Sequence, residues 1–156
     1  MRLFPMAVVA GLVVLHFLLR VGFGVGGAAP DLLTVGLLIA ARETRMGWAA
    51  GLGFVLGLLQ DSLSVVAFGA NTVTMTVVGT LGAGTRELFV GDSRAFVILY
   101  FFIGKWLRDG VHWLLVGEDL RRPFVEQLLV QGVPSAAYVA LVGLFVVALI
   151  GVSSEA

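Results

Sequence analysis

Four ionisable side chains recur at helical spacing within one apolar run: Lys105, Arg108, Asp109 and His112 stand at i, i+3, i+4 and i+7. On a helix that spacing makes one stripe on one face. Lys105 and Asp109 form an i,i+4 pair, and Asp109 and His112 are i,i+3 neighbours. An ionisable group in hydrocarbon costs roughly 2.5–3.5 kcal/mol on insertion scales, so the stripe should turn inward or toward water. Three arrangements are open to it. It can snorkel and neutralise itself at a helix end, with Trp106 and Trp113 as interfacial anchors. It can line a polar pocket in a bundle, or it can meet another protein.

A second constellation is Arg20, Asp31 and Asp61, each close to the end of an apolar run. Asp31 is expected in the first turn of its helix, where the helix dipole favours an anion. Asp61 closes its run, where the dipole disfavours one, so a cationic partner is expected and Arg20 is the nearest by topology. The simplest reading is a structural ion pair that ties helix ends together.

Catalytic chemistry finds little to work with. The chain holds 2 histidines, His16 and His112, and 0 cysteines. No nucleophile elbow, metal-binding histidine pair or phosphate loop occurs, so no catalytic residue, metal ligand or cofactor is assigned. The two histidines can meet in a bundle, but polar core positions suit them better. Ser62 and Ser64, near Asp61, read as helix caps.

These residues need elements to hold them, and composition says which. Of 156 residues, 59% are hydrophobic and 13% charged, with a mean hydropathy of +1.03. Soluble domains run at about 45–50% apolar and about 25% charged. The expected solvent is therefore a bilayer. Six spans of ~20 residues use about 120 residues and leave about 36 for loops, too few for a catalytic head or an ATPase module. The 10 basic and 10 acidic residues cancel. That leaves no stripe for nucleic acid and no polybasic grip on an anionic leaflet. The apolar run Leu3 to Leu19 is longer than the core of a cleavable signal and lacks a clean cleavage site.

Charge clusters and glycines divide the chain into six expected spans, at about 3–21, 28–41, 46–60, 66–83, 95–116 and 133–152. The second run is short, and Pro30 suits its first helical turn. Arg42 to Arg45 is a tight hairpin, Thr85 to Arg94 a polar connection, and Gly117 to Gln131 a candidate interfacial helix. The runs lack the sustained alternation of a barrel, so the expected fold is an all-α integral membrane protein, one compact domain over residues 1–156. With the N-terminus inside, inner segments hold Arg2, Arg42, Arg45, Arg86 and Arg94, and outer segments hold Arg20, Arg121 and Arg122. Five against three places both termini in the cytoplasm.

Gly47-x-x-x-Gly51 and Gly53-x-x-x-Gly57 put small residues one turn apart on the third helix. Such spacing lets two helix backbones approach closely, either inside the bundle or against a partner's helix.

One ordered set of motifs carries a resemblance. Pro30-Asp31-Leu-Leu opens a short apolar helix, and an arginine-containing hairpin follows. Next come Gly51-Leu-Gly-Phe-Val-Leu-Gly57-Leu-Leu-Gln-Asp61-Ser-Leu-Ser64 and Phe68-Gly69-Ala-Asn71, before a helix ending in Gly79 and Gly82. Over residues 30–84 this order resembles the bacterial rod shape-determining protein MreD family. The resemblance marks Asp31, Asp61 and Asn71 as structural or interface positions, and says nothing of the charged stripe on the fifth helix. It implies a non-enzymatic scaffold of the cell-elongation and peptidoglycan-synthesis complex in the bacterial inner membrane. Such a scaffold binds MreC, and through it the MreB filament, and works with RodA and its transpeptidase partner. The family also looks like the six-helix substrate-binding subunits of energy-coupling-factor transporters. The alternative function is thus a small-molecule-binding subunit of a vitamin-type transporter.

Overall fold

The computed structural model describes residues 3–22, 31–64, 67–85 and 93–154. Among these residues the chain is all-helical and holds no strand. Helix α1 (Leu3–Phe17) runs into a π-helical turn, Leu18–Gly22. Then follow α2 (Leu32–Glu43), α3 (Met46–Ser62), α4 (Ala70–Gly84) and α5 (Arg94–Leu115). A 3-10 turn, Glu118–Leu120, precedes a π-helical stretch, Val125–Gln131, which continues into α6 (Gly132–Ser154).

The sixth helix therefore starts earlier than its hydropathy suggests. Of the stretch Gly117 to Gln131 expected as a separate interfacial helix, only the last seven residues join it, with Leu128 packed inward and Glu126 exposed; the part before them is a 3-10 turn and non-helical chain. With α6 those residues form Val125–Gly151, the one helix among the described residues that is long and apolar enough to cross a membrane; Phe4–Arg20 is a shorter apolar helix. Arg2, Pro30 and Arg86, and the glycine-rich sequence after Gly22, lie outside the described residues.

Helix α2 is the hub. Its residues Leu32 through Ala41 are all buried, and it packs against each of the other five helices. A helix apolar all round belongs in the centre of a bundle. Around it, Phe101, Met75, Val78 and Val139 complete the core with Leu33, Leu37 and Leu38. At one end Tyr100 locks three helices together: its hydroxyl lies 3.0 Å from the Leu38 carbonyl and 3.3 Å from that of Gly82.

Helices α3 and α4 make the closest pairing. A Cβ at Gly53 would overlap the Met75 carbonyl, and one at Gly57 would come within 2.5 Å of the Asn71 oxygen. In return, a Cβ at Gly79 would strike the Ala49 carbonyl. The working run is thus Ala49, Gly53 and Gly57, four residues apart, which lets two backbones touch. Gly47 and Gly51 were expected to share this role, but they do not. A Cβ at either meets nothing within 4 Å, since both sit on the opposite, exposed face beside Trp48. Two residues of offset on a helix turn a side chain by about 200°, so the two glycine pairs cannot share a face.

Candidate functional site

Polar groups gather at one end of the bundle, where α1, α3 and α5 finish and α2, α4 and the sixth helix begin. Asp31 caps α2 rather than sitting in its first turn. Its Oδ1 accepts from the Thr34 backbone N–H at 3.2 Å and its Oδ2 from the Thr34 hydroxyl at 2.8 Å. Its cations come from the charged stripe of α5. Arg108 Nη1 of α5 lies 2.7 Å from Asp31 Oδ2, and Lys105 Nζ 3.7 Å from the same oxygen. Lys105 also pairs with Asp109 one turn along, and Arg108 lies 3.6 Å from Asp109 Oδ1. Two cations and two anions therefore neutralise each other inside the bundle, with every one of these side chains at most 18% exposed. The stripe on α5 lines the interior of the bundle at this end.

Asp61 takes a different course from the one expected. It is fully buried, and no cation among the described residues forms an ion pair with it. Its carboxylate instead accepts from the backbone N–H groups of Gly69 (3.0 Å), Asn71 (3.2 Å) and Thr72 (2.9 Å). The Asn71 side-chain amide (2.9 Å) and the Thr72 hydroxyl (2.6 Å) also donate to it. The last residues of α3 thus cap α4, whose own N-cap is a glycine. Gly69 at φ 93° and Ala67 at φ 57° turn the chain so that these N–H groups converge. A carboxylate at the start of a helix also meets the favourable end of its dipole. Ser62 does not cap a helix; its hydroxyl donates back to the Leu59 carbonyl at 2.7 Å.

Asn71 joins the two acids into one network. Its Nδ2 donates to Asp61, while its Oδ1 accepts from Arg108 Nη2 at 3.3 Å, and Gln60 Oε1 accepts from the same nitrogen at 3.0 Å. The path Asp61–Asn71–Arg108–Asp31 runs through four helices. The sequence singles out Asp31, Asp61, Asn71 and Arg108, but not Thr34, Gln60 or Thr72, and the cation it pairs with Asp61, Arg20, is replaced by backbone and side-chain donors of α4.

Beside this network opens a cavity of about 770 Å³. Arg20, Arg108, Arg121, Arg122, His16 and His112 line it, and no carboxylate lines it among the described residues. Both histidines therefore face one space. No group of three potential metal ligands occurs among the described residues. Trp113 lines the cavity, and its indole N–H donates to the Arg122 carbonyl at 2.9 Å, while Trp106 donates to the Leu128 carbonyl at 3.1 Å. These tryptophans fasten the connection before the sixth helix to α5. Arg121 stacks over Trp113 at 4.5 Å and donates to the Leu114 and Val116 carbonyls, closing the C-terminal end of α5.

No family model, curated protein or solved structure matches the chain.

Proposed function

We propose that this chain is a multi-pass membrane scaffold of the MreD type: six spans in the bacterial inner membrane, both termini cytoplasmic, no catalytic role. One observation carries the membrane part. The polarity of the molecule is inverted, with Asp31, Lys105, Arg108 and Asp61 inside and Phe54, Leu81, Leu114, Leu141 and Phe145 outside. Lipid selects that distribution, because apolar surface costs nothing in hydrocarbon and ionised groups cost several kcal/mol. The short α2, about 18 Å at 1.5 Å per residue, is compatible with a span only because other helices surround it.

The MreD part rests on the ordered motifs of residues 30–84. It is supported by Asp31, Asp61 and Asn71 falling into a single network that sets the relative positions of four helices. The exposed Gly47–Trp48–Gly51 face of α3 supplies an apolar strip on which a transmembrane helix of MreC can lie. MreB would then be reached through MreC, and RodA with its transpeptidase partner would join the same assembly. Tagged protein solubilised from native membranes should bring MreC with it; isolation with no MreC while the bundle stays folded would refute the scaffold.

The cavity favours a second reading, a small-molecule-binding transporter subunit. A soluble vitamin-class compound that raises the melting temperature of the purified protein would support it.

A further inference from the structure

The cavity does not end in polar walls. Phe17 and Leu63 also border a second hollow, about 630 Å³, between α1 and α3. Its other walls include Val13, Val14, Leu18 and Leu59. α1 packs on α2 and α3 packs on α4, which leaves this groove open to the outside. Val14, Leu18, Leu59 and Leu63 are each between 45% and 61% exposed along it. A cationic chamber and an apolar groove thus share two walls at one end of the bundle.

Charge sets the polarity of the occupant. Asp31 and Glu126 answer Arg108 and Arg122, at 2.7 Å and 3.9 Å. No ion pair takes up Arg20 or Arg121 among the described residues. Arg108 Nε, Arg121 Nε and His112 Nδ1 are buried and have no hydrogen-bond partner there. Buried polar atoms in proteins almost always have one. Guanidinium groups offer a planar fork that matches a phosphate.

We propose that this end of the molecule binds an anionic phospholipid, its phosphate in the arginine-lined chamber and its acyl chains in the groove between α1 and α3. The inference rests on the membrane reading but not on the MreC partnership. A lipid at this place would fill the hollow between α1 and α3, and would balance the chamber's charge.

The full-length protein, purified in a nonionic detergent, is the sample. Its melting temperature is followed while phosphatidylglycerol, phosphatidylcholine or inorganic phosphate is added, and retained lipid is read by native mass spectrometry. Phosphatidylglycerol should stabilise and remain bound, and phosphatidylcholine should do so much less. Arg20→Gln should weaken phosphatidylglycerol binding roughly fivefold, the usual worth of one arginine near anionic lipid. Leu59→Trp should block the groove and release the lipid. If Arg20→Gln melts early without any lipid, the exposed Arg122→Gln takes its place. Equal stabilisation by both lipids would overturn the proposal, as would phosphate alone matching phosphatidylglycerol, or arginine variants that bind as well as the native chain. Loss of the protein from membranes on alkaline carbonate washing would refute the membrane reading itself, which keeps the two failures apart.

Discussion

Arg108 of α5 holds Asp31, the cap of α2, through a 2.7 Å contact between Nη1 and Oδ2. The two residues stand far apart in sequence, and both side chains are 12% exposed. One contact thus sets the depth of the central helix against the longest polar stripe of the chain.

Asp31→Ala should be among the most damaging single changes. Breaking a buried pair from one side costs about 3–5 kcal/mol, and loss of the cap adds about 1 kcal/mol. Arg108→Met should cost less, because Lys105 remains within reach of Asp31 at 3.7 Å. The double variant should be more stable than the sum of the singles implies. Melting temperatures of the four proteins in one detergent give the coupling; strict additivity would mean the pair contributes nothing.

Asp61→Ala strands three backbone donors and two side-chain donors that now share one carboxylate. A buried unsatisfied group costs about 1–3 kcal/mol, so the variant should accumulate poorly in membranes. Adding Arg20→Ala should not rescue it, because Arg20 is not its partner. Quantitative immunoblotting of membrane fractions checks this, and recovery in the double variant would show that the two charges do interact.

The glycine pairs of α3 should separate by phenotype. Gly57→Leu and Gly53→Leu drive a side chain into the α4 backbone, which has nowhere to go, so both proteins should melt early or disappear. Gly51→Leu enters open space and should leave the melting temperature within about 2 °C of the native value, because surface substitutions usually change stability by no more than ±0.5 kcal/mol and 1 kcal/mol is worth about 2–4 °C at this size. If α3 receives the helix of MreC on this face, Gly51→Leu should still abolish its recovery. A stable variant that recovers MreC normally would move the docking face elsewhere.

Topology can be read with one cysteine, since the native chain has 0. Ser154→Cys should resist a membrane-impermeant thiol reagent added to intact cells and react after lysis. Labelling without lysis would place the C-terminus outside and remove the six-span, N-inside arrangement.

Helix boundaries were the legible part of the sequence, since charged hairpins interrupt apolar runs: α2 ends at Glu43 and α3 begins at Met46, around the hairpin read at Arg42–Arg45. The face of α5 was legible too, because spacing alone aligns Lys105, Arg108, Asp109 and His112. Partner choice was not. Arg20 and Arg108 are equal candidates for an acid when only helix ends are known, and the choice depends on how α5 crosses α2. The capping of α4 by Asp61 was hidden for a similar reason: it requires the left-handed turn at Ala67 and Gly69, whose geometry no hydrophobic pattern encodes. Of the glycine pairs, periodicity identified candidates but could not tell the α4 face from its opposite.

The central place of α2 bears on the order in which the protein is made. A chain emerging from the ribosome exposes Asp31 well before Lys105 and Arg108 exist. At about 18 Å, α2 is also too short to cross a hydrocarbon layer of about 30 Å unaided. Until α5 arrives, its acid has neither of its two cations, and the bundle lacks the wall that seals that end. On the proposed six-span reading, the first four helices would be a provisional assembly, and the fifth the one whose insertion commits the hub to its final depth. On that reading a nascent chain truncated after α4 would keep Asp31 near water, and quality-control proteases would meet a bundle with its central helix still unseated.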